Sequence, residues 1–104
     1  MENRRLLLHE ELVRILGSKN VYYQPPSNVN LVYPCILYEL DGIDDKHADN
    51  LVYLRNLKYK VTVIDKHHNS PIFEKLLERP YSSYNTRFST TGLNHYVCTL
   101  YDKI

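Results

Sequence analysis

The chain has no tryptophan, three glycines and two cysteines among 104 residues. With so little glycine there is no Gly-x-x-x-x-Gly-Lys phosphate loop, and no Gly-x-Ser-x-Gly nucleophile elbow exists either. Cys35 and Cys98 each sit inside an apolar run and read as buried free thiols of a reducing compartment. A disulfide between them stays open, since it depends on whether their strands adjoin. Charge of one sign is also lacking. Thirteen basic residues against twelve acidic ones give a net charge of +1, which argues against broad electrostatic binding of nucleic acid. No apolar run approaches the ~18 residues of a membrane span. Leu6-Leu7-Leu8, between Met1-Glu2-Asn3-Arg4-Arg5 and His9-Glu10-Glu11, is too short for an export signal. The expected setting is the cytoplasm, with no membrane partner.

What is present is ordinary globular material. Apolar residues make up 43% and charged residues 24%, enough for one core and a single domain over residues 1–104. Ten tyrosines stand out. Their rings are apolar and their tips wet, which suits half-buried sheet faces and subunit contacts.

The region from 57 to 77 organises the rest. Leu57, Tyr59, Val61 and Val63 alternate with Lys58, Lys60 and Thr62, predicting a strand with one apolar face. Ser70 is placed to cap a following helix and Pro71 to open it. That helix, residues 71–79, buries Ile72, Phe73, Leu76 and Leu77, and Pro80 stops it. Upstream, Leu8, Leu12, Ile15 and Leu16 share one face of a helix over 4–16. Leu6, Leu7 and Val13 broaden that face, and Gly17 ends the helix. Val21-Tyr22-Tyr23 reads as a short edge strand ended by Gln24-Pro25-Pro26-Ser27-Asn28. Residues 35–40 are apolar on both parities, so both faces of that strand expect cover, one of them from another subunit.

Residues 41–50 read as a polar loop with four aspartates, Asp41, Asp44, Asp45 and Asp49. Their spacing and the early Gly42 do not fit a calcium loop, so a partner-binding loop is expected. The strand over 51–65 is long, which suggests a hairpin arm projecting beyond the body. Lys66-His67-His68-Asn69 is a turn with no third metal ligand. Tyr84, Thr86 and Phe88 are expected on one face of a strand over 84–89. The chain then turns at residues 90–94 and returns as a last strand over 95–101. The order predicts an α+β two-layer sandwich: a mainly antiparallel sheet of four to five strands with two helices on one face.

No catalytic constellation is legible. His95 and Cys98, three apart on a strand, fall on opposite faces, and the carboxylates do not converge on strand ends. The reading is of a non-enzymatic binding or assembly protein without cofactor or metal. A nucleic-acid sheet is the alternative of a different class. However, Tyr59 falls on the opposite parity to Lys58 and Lys60, so rings and charges do not share one platform. A basic patch uniting Arg55, Lys58 and Lys60 would favour it.

Several pieces, in order, resemble one family. They are Tyr33-Pro34-Cys35-Ile36, then Lys46-His47-Ala48-Asp49-Asn50 with Tyr53, then Tyr59-x-Val61-Thr62-Val63-Ile64-Asp65 running to Ser70 and a short Leu-Leu helix. Pro80-Tyr81, Phe88 and Leu93-Asn94-His95 continue the pattern. Together they look like the tail terminator (tail completion, or minor capsid) proteins of long-tailed bacteriophages. Family members often carry Arg-Asp-Pro-Asp where this chain has Lys66-His67-His68-Asn69, so no role is carried to that turn. The resemblance implies a virion protein of the tail or neck, assembled in the host cytoplasm. It implies a ring, usually of six subunits, that caps the tail tube, ends its polymerisation and joins the tail to the head connector. The implied partners are other copies of the chain, the tube protein and the connector or stopper, with DNA able to pass through the ring. The candidate contacts are Asp41, Asp44, Asp45, Lys46, His47, Asp49, Asn50, Tyr53 and Arg55. Another neck protein, a stopper or adaptor, shares the setting and is the nearer alternative.

Overall fold

Among the described residues, two helices and five strands follow in the order α1 (Glu2–Leu16), β1 (Val21–Tyr23), β2 (Cys35–Ala48), β3 (Leu51–Asp65), α2 (Pro71–Leu77), β4 (Ser82–Thr90) and β5 (Leu93–Lys103). The structure, a computed structural model, describes residues 2–25, 30–48, 51–66 and 70–103. The strands form one sheet in the order β1-β2-β3-β5-β4. The β1–β2 pair is parallel and the β2–β3, β3–β5 and β4–β5 pairs are antiparallel. The predicted α+β sandwich is therefore the observed fold.

The alternation in β3 decides which face carries the helices. Val63 lies opposite Ile36 and Tyr96, and Val61 opposite Tyr38 and Cys98. All six are buried, in one cluster with Leu8 and Leu12 of α1 and Phe73 and Leu76 of α2. Both helices thus cover the same face. Ser70 accepts the Phe73 N–H at 3.3 Å as the helix cap, with Pro71 in the first turn. Gly17 ends α1 at φ 80°, a left-handed conformation that favours glycine. Arg79 ties the layers together: its Nε donates to Glu11 of α1 at 2.6 Å and its guanidinium also reaches the Tyr101 carbonyl at 3.2 Å.

Several expectations change. The α1 apolar face does not extend to Leu6 and Leu7, which are exposed, because the covered stripe runs along Leu8 and Leu12. Within the single chain Cys35 and Ile36 of β2 are buried, Leu37 is half-buried and Glu39 is exposed, so its second face is open from Leu37 onward, where cover from another subunit is expected. Tyr84, Thr86 and Phe88 do not share a face. A bulge at Asn85 leaves Tyr84 opposite Cys98 on the helix side, while Thr86 and Phe88 lie opposite Val97 and His95 on the other. The turn expected over 90–94 shrinks to Thr91 and Gly92, with φ 51° and 77°, between the paired residues Thr90 and Leu93.

The last change is the largest. The stretch read as a polar loop is strand: β2 continues through Asp41, Asp44, Asp45, Lys46 and His47 to Ala48, paired with β3 down to Leu51. β5 stops pairing with β3 at Asn56. Beyond that point, residues 44–48 and 51–55 run on as a two-stranded arm. The arm expected from the length of β3 is present, and the molecule measures 51 × 23 × 23 Å.

Candidate interaction surfaces

Three surfaces lie outside the helix-covered core: the arm, the open sheet face and the free edge of β4. The arm pairs the β3 segment Leu51-Val52-Tyr53-Leu54, which holds two strand formers in Val52 and Tyr53, with an acidic partner that would not hold a strand alone. Its register places Asp45 opposite Arg55, Asp44 opposite Asn56 and Lys46 opposite Leu54. Two irregularities bend the ribbon. One skips Asp41, between Leu40 and Gly42, and the other skips Tyr53, between Lys46 and His47. Asp41, Asp44, Asp45, Lys46, His47, Tyr53 and Arg55 are therefore brought together on one ribbon. Asp49 and Asn50, expected with them, lie outside the described residues, as do Pro26, Ser27 and Asn28 after β1 and His67, His68 and Asn69 of the later turn.

The open face carries Leu37, Glu39, Lys58, Lys60, Thr62, His95, Val97, Thr99 and Tyr101. Tyr59 points the other way and is buried under the helices, as its parity requires. Arg55 stands at an odd position opposite Asp45, out of step with Lys58 and Lys60, so the register gives no basic patch uniting the three. Aromatic groups do reach this face from strands that inspection of β3 could not implicate. Tyr101 pairs with Lys58, and the Phe88 ring stacks on His95 with centroids 4.6 Å apart. A cleft of about 230 Å³ opens between the end of β1 and this face, lined by Gln24, Leu37, Glu39, Lys60 and Thr62. That is below the roughly 300–1,000 Å³ of small-molecule sites.

The cysteines lie two strands apart on opposite faces, Cys35 opposite Ile64 and Cys98 opposite Val61, and both are free. Burial pushes their thiols up, to about 11 for Cys35 and about 12 for Cys98, away from the thiolate a nucleophile needs. His95 is separated from Cys98 by the sheet itself. Asp65 is committed to structure: buried, it accepts the Ser70 hydroxyl at 3.0 Å just before α2. Among the described residues no three of His, Cys, Asp and Glu come together as a metal site, and no helix is long and apolar enough to cross a membrane.

The β4 edge is what the sequence least disclosed. Ser83 to Thr90 are all exposed, Tyr84 at 57% and Phe88 at 47% among them. Of the usual guards of a free edge, β4 holds one charge, Arg87, and the bulge at Asn85, but no lysine, proline or acidic residue. No protein-family model, no curated protein and no solved structure matches this chain.

Proposed function

We propose that this protein is a structural subunit of a bacteriophage tail, one that assembles into a ring closing the tail tube and joining it to the head connector. The arm carries the reading. A two-stranded ribbon has too little core to be stable alone, yet residues 44–48 and 51–55 extend as one beyond the five-stranded sheet. Such an element suits a chain whose ribbon lies against a neighbour in an assembly. The arm also collects most of the residues that the resemblance to tail terminators marks as contacts. Mixed charges along it, Asp44 and Asp45 beside Lys46 and opposite Arg55, favour contacts specific in register over generic adhesion.

Electron microscopy of tails made without this protein tests the reading. Overlong tubes, or tails of normal width that fail to join heads, are expected. Normal tails of normal length joined to heads would sink it.

A further inference from the structure

Two sheet edges are free of a partner strand among the described residues, and they are complementary. On one side β1 covers β2 only at Ile36, Leu37 and Tyr38. The Gln24 main-chain N–H then reaches the Tyr38 carbonyl, and its side chain accepts from the Leu40 N–H. From Asp41 to Ala48 the outer edge of β2 meets no further strand among the described residues. On the other side β4 ends the sheet, free over Ser82–Thr90. The two edges are of similar length, eight residues against nine.

Their charges differ in sign. The free part of β2 carries Asp41, Asp44 and Asp45 against Lys46, whereas Arg87 is the only charged residue of β4. Pairing β2 with a second β2 would set acid against acid, and pairing β4 with a second β4 would set arginine near arginine. Pairing the unlike edges is favoured on both counts. The edges stand at opposite sides of one sheet, so they cannot meet within a chain.

We infer that the free β2 edge of one copy adds to β4 of the next, extending the sheet from subunit to subunit. Main-chain hydrogen bonds supply the affinity, as in strand addition generally, and the arm's acidic residues beside Arg87 supply the direction. Such a contact is head-to-tail, the class that does not stop at a two-fold pair but runs on, into a ring where its rotation closes and a filament where it does not. This rests on the ring reading above and names the surfaces that make the ring.

The test replaces Phe88 with a benzophenone-bearing phenylalanine in the full chain. Isotope-labelled and unlabelled copies are mixed, at millimolar concentration and on polymerised tail-tube protein, and the photoproducts are mapped by mass spectrometry. The same analogue at Tyr84 serves if the first variant does not fold. Crosslinks from β4 of one copy to residues 41–48 of another are expected. The exposed Thr86→Glu should cut their yield about tenfold, and adding Asp41→Lys with Asp44→Lys should restore it. Assemblies crosslinked elsewhere, or a yield indifferent to these charges, overturn the edge pairing while leaving the ring intact. A chain that stays monomeric in both settings overturns the ring and the pairing together.

Discussion

At the scale of single residues, the contact between α1 and the sheet is the most chemically specific. The Tyr38 hydroxyl, on a buried ring, meets His9 Nδ1 at 2.7 Å and accepts from an Arg5 N–H at 3.3 Å, while the Arg5 guanidinium lies 4.5 Å from the Tyr23 ring centroid. Neutral His9 can accept the Tyr38 proton; protonated His9 cannot, and it adds a second cation beside Arg5. Burial first, and then the Arg5 charge, lower the His9 pKa from its usual 6.5, against a smaller opposing pull from Glu10. Because the folded value is the lower one, the unfolded chain binds more protons near and below 6.5. Stability is therefore complete above 6.5 and falls as pH drops through the folded value. Urea midpoints across this range should show that decline, and His9→Gln, which keeps an acceptor but does not titrate, should flatten it. An unchanged slope in the variant would place the dependence elsewhere. The two thiols make a second residue-level prediction. With pKa values of about 11 and about 12 and no exposure, Cys35 and Cys98 should resist iodoacetamide in the native protein and both react in denaturant. Fast labelling of the native chain would contradict their burial.

At the scale of elements, the β4–β5 turn shows where sequence chemistry and backbone disagree. Both turn residues have positive φ, 51° at Thr91 and 77° at Gly92, the type I′ geometry that matches the strand twist. Glycine suits the second position, but a β-branched threonine at the first is strained. Thr91→Asn should stabilise the protein by about 0.5–1 kcal/mol, read as a higher melting temperature, and a lower one would refute the strain. The same contrast explains what could be read in advance. α2 and β3 were legible because their signals are local: Ser70-Pro71 for the cap, strict alternation from Leu57 to Val63. The continuation of β2 was not, because aspartate and glycine disfavour strands and only pairing with β3, a long-range fact, overrides that preference. The split of Tyr84 from Phe88 depends on one unpaired residue, Asn85, and alternation assumes no bulge. The openness of β4 is a matter of strand order, which no local pattern encodes. The candidate arm residues were legible as a charged cluster, but their placement on a ribbon was not.

At the scale of the molecule, body and arm divide the work. The buried cluster joining α1, α2 and the sheet draws on residues such as Leu12, Val61, Leu76 and Leu100, and β5 stops pairing with β3 at Asn56, short of residues 51–55. The body should therefore fold without the ribbon. Replacing residues 45–55 with Asn-Gly would close a two-residue hairpin between Asp44 and Asn56, which already face each other, with a turn suited to that geometry. The shortened chain should unfold in one cooperative step with a melting temperature within about 5 °C of the parent, a change of roughly 1 kcal/mol. It should also fail to assemble, because the free β2 edge shrinks from eight residues to four, Asp41 to Asp44, too short to pair along β4. Leu12→Ala sets the contrast: it empties a fully buried site and should cost about 2–5 kcal/mol, lowering stability without touching either edge, so whatever folded protein remains should still assemble. If the shortened chain loses its fold, the ribbon is part of the core's support; if it folds and still assembles, the contacts lie on the open face. Only loss of assembly with the fold retained assigns the arm to contacts between subunits.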